Sequence, residues 1–345
     1  MESTTLARAI DRLGFVQADP IRAPARAQDL TLRHRLAGYR VGDLDRAYEE
    51  LPVEEDHFVN YGFLPRRHLE LMHPRTPQRT WDAPTRRLSA RVLAFVRERG
   101  EAHPREVDER FAHGTVQNYW GGTSNATTHL LDQMHYRGLL RVVRREAGIR
   151  VYAARKPWRG RCSAETRRQQ AEALLALALK LYAPVPAATL GQLASRLRHS
   201  APQLVTELRA ALARARTTLP RARAGSVDWY WPEGEEPRDV ADSPVERARF
   251  VAPFDPVVWD RHRFELFWGW AYRFEAYTPA KKRKLGYYAL PLLFRDRVVG
   301  WGNLAERDGA LMVDVGYVAG RPPRDRAFHR ELDSEIERVR WFLGG

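Results

Sequence analysis

Apolar residues recur at helical spacing through most of this chain and alternate with polar ones only near its end. At the start, Leu6, Ile10 and Leu13 lie on one face of a short predicted helix. The same criteria predict helices over residues 25–36 and 41–51, a strand over 58–64 and a basic, proline-containing linker over 74–80.

Two consecutive segments in the middle of the chain show the same predicted order of helices and strands. Residues 80–156 contain predicted helices over 88–96, 101–111 and 123–137, followed by strands over 139–143 and 149–153. Residues 160–232 show predicted helices over 174–181, 189–197 and 202–213 and a return strand over 227–231, although Pro220 leaves the first strand of that pair in doubt. Three helices followed by a hairpin form a winged-helix unit, which is a helix-turn-helix with a β wing.

After an acidic linker at residues 232–237, the pattern changes to alternation. Strands are predicted over 274–277, 286–294, 297–304 and 310–317, and an amphipathic helix over 328–342. The predicted fold is α+β, with tandem winged-helix units followed by a small C-terminal β-barrel and a closing helix. The predicted domains are 1–79, 80–156, 157–235 and 236–345.

The net charge of the chain indicates which class of molecule the protein binds. Lysine and arginine total 57 against 43 acidic residues, which leaves a net charge of +14. Such an excess favours a polyanion such as nucleic acid. Nearly all of it is arginine, which suits bidentate phosphate contacts but also follows from a GC-rich genome, so many of these arginines need no function.

Several classes of protein are excluded. Cys162 is the single cysteine, so the chain has no internal disulfide, iron–sulfur cluster or cysteine-rich zinc site. His129 and His135 are badly spaced to share a metal, and no phosphate-binding or dinucleotide glycine motif occurs. We therefore expect no metal and no cofactor. The chain begins without a signal pattern, and its longest apolar stretch is interrupted by Lys180 and Pro184, which predicts a cytoplasmic protein associated with the nucleoid and not a membrane protein.

Two residues carry the strongest candidate chemistry. Gln17 and Asp19 lie in the run Val16-Gln17-Ala18-Asp19-Pro20-Ile21, directly after the first predicted helix. In an extended segment, residues i and i+2 project to one face, so a carboxylate and an amide can converge on one water molecule. An aspartate before a proline is also a common turn or helix cap, and the amide of Gln17 can satisfy a backbone group.

Longer stretches resemble a known family. The chain is similar to the bacterial winged-helix DNA glycosylases of the YcaQ/AlkZ type. The matching pieces are 16–21 with Ala25 and Arg26, the run 121–124, the run 250–261 containing Pro253-Phe254-Asp255-Pro256, and the run 277–291 containing Lys282-Arg283 and Gly286-Tyr287-Tyr288. They span nearly the whole chain in the expected order.

The resemblance implies what these residues do. It implies tandem winged-helix units curved around DNA and removal of N7-alkylated purines, including bases tied together in interstrand crosslinks. The family uses Gln-x-Gln or Gln-x-Asp, and this chain matches the second, so Gln17 and Asp19 take those catalytic positions. Ala18 is smaller than the usual middle residue, and residues 56–61 differ from the Trp-x-His-Glu run of many relatives.

Other residues are candidates for DNA contact. Lys281, Lys282, Arg283 and Lys284 form a predicted basic hairpin tip between tyrosines, suited to phosphate; the alternative is a solvated turn. Thr123, Ser124 and Asn125 open a predicted helix whose N-terminus suits phosphate, or are an ordinary cap.

Some candidates carry weaker arguments. Arg22, Arg26, Arg33 and Arg35 follow the catalytic bend and line a DNA cleft, or are solvated helix arginines. His57 and Asn60 are candidates for contact with the lesion, with a structural role as the alternative.

The lysines bear on the type of reaction. Glycosylases that also nick the strand use an amine to form a Schiff base, and no lysine precedes Lys156. Unless a later lysine or the N-terminal amine reaches the site, the reaction should be simple hydrolysis that leaves an abasic site. We therefore predict a monofunctional DNA glycosylase, a monomer bound to damaged double-stranded DNA, in which Gln17 and Asp19 activate water. The alternative is a non-catalytic winged-helix DNA-binding protein such as a transcription regulator, which usually dimerises on paired half-sites.

Overall fold

The computed structural model describes residues 5–77, 79–111, 114–117, 123–158, 163–237 and 245–344. Its helices are α1 (Leu6–Leu13), α2 (Ala27–Leu32), α3 (Asp43–Ala47), α4 (Ala83–Arg99), α5 (Pro104–Phe111), α6 (Ala126–Tyr136), α7 (Ala164–Tyr182), α8 (Ala187–Ser200), α9 (Val205–Thr218), α10 (Pro256–Trp259), α11 (Arg261–Trp268) and α12 (Arg326–Leu343). Short 3-10 helices cover Arg66–Leu71, Pro202–Leu204 and Ala280–Lys282.

The strands are short until the C-terminal third. They are β1 (Val16–Gln17), β2 (Val53–His57), β3 (Tyr61–Pro65), β4 (Glu101–Ala102), β5 (Thr115–Gln117), β6 (Thr123–Asn125), β7 (Leu140–Glu146), β8 (Ile149–Ala154), β9 (Val185–Pro186), β10 (Arg221–Ala224), β11 (Val227–Tyr230), β12 (Ala248–Phe250), β13 (Leu290–Phe294), β14 (Arg297–Arg307) and β15 (Ala310–Tyr317). The mixture of helices with antiparallel sheets agrees with the predicted α+β class. The tandem winged-helix arrangement and the four domain boundaries stay predictions.

Contacts between residues divide the chain into two units. The first consists of residues 1–44, 179–190 and 219–345, and the second of 45–178 and 191–218. The first unit therefore brings the N-terminal segment together with the C-terminal third of the chain.

The first unit is built around a four-stranded antiparallel sheet in the order β12-β13-β14-β15. Phe250 pairs with Leu292, and Gly302 pairs with both Leu290 and Val315 across the sheet. Helix α12 packs on β12 with a buried face that includes Phe328 and Phe342. The order is linear, and no pairing between described strands closes the sheet, so these residues form an open sheet where a barrel was predicted.

The second unit contains a hairpin of β2 with β3 and a sheet in the order β4-β8-β7, all antiparallel. Helices α4, α5 and α6 precede the β7-β8 hairpin, and their buried residues include Val92, Val107 and Met134. The hairpin after residue 138 was predicted and is confirmed.

Several predictions of individual elements are wrong. The predicted helices 25–36 and 41–51 are only six and five residues long, as α2 and α3. The predicted strand 58–64 begins at Tyr61, because Phe58 to Asn60 form the turn of the β2-β3 hairpin. Residues 123–125 are strand β6 and not the start of a helix. Residues 274–277 form no strand, and the basic run that starts at Lys281 lies in a 3-10 turn.

Two further features differ from the sequence-based expectations. Arg75, inside the predicted linker, is 5% exposed and hydrogen-bonds Asp56 at 2.7 Å. Strand β10 forms despite Pro220, because the proline precedes the first paired residue, Arg221. Among the described residues, none of the helices is long and apolar enough to cross a membrane.

Candidate active site

The Gln-x-Asp run leaves helix α1 by a sharp turn. Gly14 ends the helix at φ 74°, a left-handed conformation that glycine adopts at little cost, and its N–H donates to Ile10 O at 2.8 Å. Strand β1 follows directly and ends at Gln17. The turn places Gln17, only 5% exposed, in the interior, and leaves Asp19 half-buried at the surface.

Both side chains retain capacity for another partner. Oε1 of Gln17 is buried and has no hydrogen-bond partner among the described residues. Oδ1 of Asp19 accepts the N–H of Ile21 at 2.9 Å, which fixes the carboxylate in an Asx turn. A buried amide oxygen without a partner is uncommon in a native structure, and in this chain Oε1 of Gln28 and Oε1 of Gln203 share that condition.

Burial makes the carboxylate a stronger base than usual. Desolvation raises the pKa of Asp19 above its ordinary value, and the hydrogen bond from Ile21 N–H offsets only part of that rise. A half-buried carboxylate with a raised pKa is suited both to accept a proton and to stabilise positive charge nearby.

Two tyrosines of the C-terminal segment lie within electrostatic range of Asp19. Burial raises the pKa of Tyr288, and the charge of Asp19 raises it further. Burial and Asp19 likewise raise the pKa of Tyr277. The rings of both tyrosines pack edge-on against Phe274, at 5.2 Å for Tyr288 and 6.1 Å for Tyr277. Both phenols are therefore protonated at neutral pH. In the sequence, Tyr288 stands within a motif that resembles the family, and no sequence signal distinguishes it from core tyrosines.

The segment after the Gln-x-Asp run is held by ion pairs. Arg33 pairs with Glu335 at 2.6 Å and also donates to Phe250 O, while His34 hydrogen-bonds the same carbonyl at 2.8 Å. Arg35 donates to both oxygens of Asp255. Both arginines bind carboxylates within this unit, so the interpretation of Arg33 and Arg35 as freely solvated helix arginines is wrong, and a place in a DNA cleft stays a prediction.

The basic run is anchored by one acid. Glu275, 6% exposed, accepts the backbone N–H groups of Lys284, Leu285 and Gly286 at 2.8, 2.7 and 3.3 Å. Asn303 Nδ2 donates to Leu285 O at 2.8 Å, and a Cβ at Gly286 would lie 2.1 Å from the Asn303 side chain. The loop is therefore fixed at its C-terminal end, and only glycine fits at its last position.

The charges of this loop are directed outward. Lys281, Lys282 and Lys284 are exposed. Arg283 is half-buried, donates from Nε to Thr278 O at 2.8 Å and stacks over the Tyr287 ring at 5.0 Å. Arg283 thus braces the loop, and the three lysines remain available for phosphate.

The remaining predicted DNA contacts are less well defined. Arg22 is exposed, and Arg26 is half-buried at the start of α2 without making a side-chain cap. Thr123, Ser124 and Asn125 lie in strand β6, and Gly121 and Gly122 lie outside the described residues. Their contact with DNA stays a prediction.

His57 and Asn60 occupy structural positions in the second unit. The His57 ring packs edge-on against Tyr61 at 5.0 Å and Tyr136 at 5.4 Å, and burial lowers the pKa of His57 to about 3. Asn60 Oδ1 accepts the N–H of Tyr61 at 3.0 Å in the hairpin turn. These contacts supply a structural explanation for both residues, and contact with a lesion stays a prediction.

Strand β2 beside them carries three buried acids. Glu54 pairs with Arg155 at 2.6 Å, and Glu55 accepts Arg145 Nε at 2.7 Å. Asp56 binds Arg75 and His73, each at 2.7 Å. Sequence analysis missed this strand, because consecutive acids are typical of a solvated segment unless arginines distant in sequence neutralise them. No group of three or more potential metal-ligating side chains occurs in the described part of the chain.

Comparison with known protein families identifies the class of protein to which this chain belongs. The chain belongs among the DNA glycosylases, so its substrate is DNA, in agreement with its positive charge. The model of the AlkZ-like family, described as DNA glycosylase AlkZ-like, matches residues 10–342, and the chain belongs to that family. The resemblance inferred from sequence is thereby confirmed at the level of the family. No solved structure matches the chain.

Proposed function

We propose that this protein is a monofunctional glycosylase that hydrolyses the N-glycosidic bond of N7-alkylated purines in double-stranded DNA. Alkylation at N7 gives the base a positive charge, so the base leaves as a neutral molecule and needs little acid catalysis. The remaining demand is to stabilise the oxocarbenium-like sugar and to deliver water, as in glycoside hydrolysis.

Asp19 meets both parts of that demand. Its carboxylate stabilises the positive sugar and takes a proton from water, while Oε1 of Gln17 accepts the second hydrogen of the same water. The observation that carries this proposal is the pairing of a half-buried carboxylate of raised pKa with a buried, unpartnered amide oxygen two residues away. A positioned base of this kind contributes about 10²–10⁴-fold to the rate.

DNA is held in this proposal by the exposed lysines of the basic loop, Lys281, Lys282 and Lys284, with Arg22 near the acid. Winged-helix units contribute further backbone contacts, including Thr123, Ser124 and Asn125. The enzyme acts as a monomer, and bases linked in interstrand crosslinks are a second substrate class.

The test is release of free 7-methylguanine from methylated duplex DNA, measured under single turnover. The wild type should release the base, and Asp19→Asn should lose at least about 100-fold in rate. Asp11→Asn is the matched control, because Asp11 is an exposed carboxylate on the preceding helix. DNA binding without release by the wild type would contradict the proposal and favour the non-catalytic regulator.

A further inference from the structure

Tyr277 is the most exposed large aromatic or aliphatic side chain among the described residues, at 70%. Single apolar side chains at a surface are common and need no function. This ring differs because three exposed lysines, Lys281, Lys282 and Lys284, follow it within one short segment. Aromatic faces next to cations are the combination with which proteins bind the bases and phosphates of unstacked nucleic acid.

The backbone around Tyr277 is fixed by hydrogen bonds. Thr278 N–H donates to Glu275 O at 2.9 Å, which closes a tight turn that contains Tyr277. Arg283 Nε donates to Thr278 O at 2.8 Å, and the Glu275 carboxylate accepts the N–H of Lys284 at 2.8 Å. The turn that carries the tyrosine and the turn that carries the lysines are therefore joined to each other, and the aromatic ring and the charges keep one relative arrangement.

The ring of Tyr277 is supported by other aromatic rings. It packs edge-on against Phe274, with 6.1 Å between the ring centroids and 73° between the planes. Phe274 in turn packs against Phe254 at 5.0 Å and against the buried Tyr288 at 5.2 Å. Because this contact restricts the ring of Tyr277 in advance, little side-chain entropy is lost when a flat ligand stacks on it.

The other exposed tyrosine of the segment is less suited to bind a ligand. Tyr287 is 45% exposed, and the guanidinium of Arg283 lies over its ring at 5.0 Å. One face of Tyr287 is therefore covered by the arginine that braces the loop. Tyr277 presents more of its ring on the same segment.

We propose that Tyr277 stacks on a DNA base at the site of damage, while the lysines that follow it bind the neighbouring phosphates. In an intact duplex both faces of a base are covered by its neighbours, so a side chain gains a stacking partner mainly where a base pair is disrupted. Tyr277 thus adds affinity for damaged DNA, whereas the lysines bind damaged and undamaged DNA alike. This inference rests on the DNA contact proposed for the basic loop and not on the chemistry proposed for Asp19.

The experiment measures binding to two duplexes of the same sequence, one undamaged and one with a tetrahydrofuran abasic-site analogue, which has no base to release. Fluorescence anisotropy at several salt concentrations gives the affinities of wild type, Tyr277→Ala and Tyr277→Phe. Tyr277→Ala should bind the abasic duplex roughly 5- to 100-fold more weakly, with an unchanged salt slope and an unchanged affinity for the undamaged duplex. Tyr277→Phe keeps the ring and should bind both duplexes as the wild type does.

Met312→Ala is the matched control, because Met312 is an apolar side chain on β15 that is 53% exposed. It should bind both duplexes with wild-type affinity. Thermal denaturation should give the same melting temperature for all four proteins, since the changed side chains are exposed.

Wild-type affinity of Tyr277→Ala for the abasic duplex would overturn the inference. An equal loss in Tyr277→Phe would also overturn it, because the contact would then belong to the hydroxyl and not to the ring. A loss of the same size on the undamaged duplex would show that the ring does not recognise damage. Failure of the wild type to release 7-methylguanine would remove the glycosylase proposal, but this measurement of binding needs no turnover and would still decide the role of Tyr277.

Discussion

Arg35 donates to both carboxylate oxygens of Asp255, from Nη1 to Oδ2 at 2.6 Å and from Nη2 to Oδ1 at 2.9 Å. Asp255 is 1% exposed and also accepts the N–H of Val257 at the start of α10. One carboxylate therefore joins the segment after the Gln-x-Asp run to the first helix of the C-terminal segment.

Breaking this pair should destabilise the protein strongly. Arg35→Met leaves a buried carboxylate without its cation, and we expect a loss of about 3–5 kcal/mol in the free energy of unfolding. Urea denaturation measures it. Arg297→Met is the matched control, because the Arg297 side chain is 84% exposed and should change stability by less than about 0.5 kcal/mol. Equal midpoints for the two variants would show that the pair contributes nothing.

The pH dependence of base release should reflect Asp19. The active form is the carboxylate, so the rate should fall as pH falls through a pKa that burial has raised above the ordinary 3.8. Single-turnover rates of the wild type across the acid range locate this midpoint. A midpoint at or below 3.8 would contradict the assignment.

The half-buried carboxylate of Asp19 should also lower the free energy of unfolding at neutral pH. A carboxyl group whose pKa is raised by folding favours the folded state below its unfolded pKa and loses that advantage as pH rises through the folded pKa. Asp19→Asn should accordingly be no less stable than wild type at pH 7. The loss of rate expected for this variant is then not explained by unfolding.

Acid should destabilise the second unit through its buried histidines. Burial lowers the pKa of His57 to about 3 and lowers those of His73 and His135 below 6.5. The unfolded chain then binds more protons below pH 6.5, and each such histidine removes about 1.4 kcal/mol of stability per pH unit. Urea midpoints between pH 7.5 and 5 measure the slope.

His57→Phe keeps a ring in that position and cannot take a proton, so it should flatten the slope by about one histidine's share. His199→Gln is the control, since the side chain of His199 is exposed. Identical slopes for wild type and His57→Phe would refute the argument.

The basic loop should set part of the salt dependence of DNA binding. Replacing Lys281, Lys282 and Lys284 with alanine keeps Arg283, which braces the loop, and should reduce the slope of log K against log salt by up to about 3. Lys180→Ala, an exposed lysine on α7, is the control. An unchanged slope in the triple variant would show that these lysines do not reach phosphate.

The reaction should leave an intact strand with an abasic site. A Schiff-base mechanism needs an unprotonated amine at the sugar, no lysine precedes Lys156 in the sequence, and the proposal assigns the exposed lysines of the basic loop to phosphate. Borohydride treatment during turnover should therefore trap no protein–DNA adduct. A trapped adduct, mapped to a lysine by mass spectrometry, would require a different mechanism.

Local pattern was sufficient for elements that bury one continuous face. Helix α12 and the β7-β8 hairpin follow from the spacing of residues such as Phe328 and Phe342 and from the turn at Gly148. The family was identifiable as well, because its motifs recur in order along the chain.

Elements stabilised by distant partners were not predictable. Strand β2 is buried only because Arg75, Arg145 and Arg155 neutralise its acids from other parts of the second unit. Likewise, Tyr288 comes within electrostatic range of Asp19 from far along the chain, and its unpaired hydroxyl becomes visible only once its neighbours are placed. Patterns within a window of residues contain no information on such pairings.

Glu275 determines at which stage the basic loop becomes ordered. With three amides held by one carboxylate, the loop becomes ordered as the protein folds, so little conformational entropy remains to be lost when DNA docks. A change at position 275 would therefore weaken association with DNA even though every lysine stayed in place.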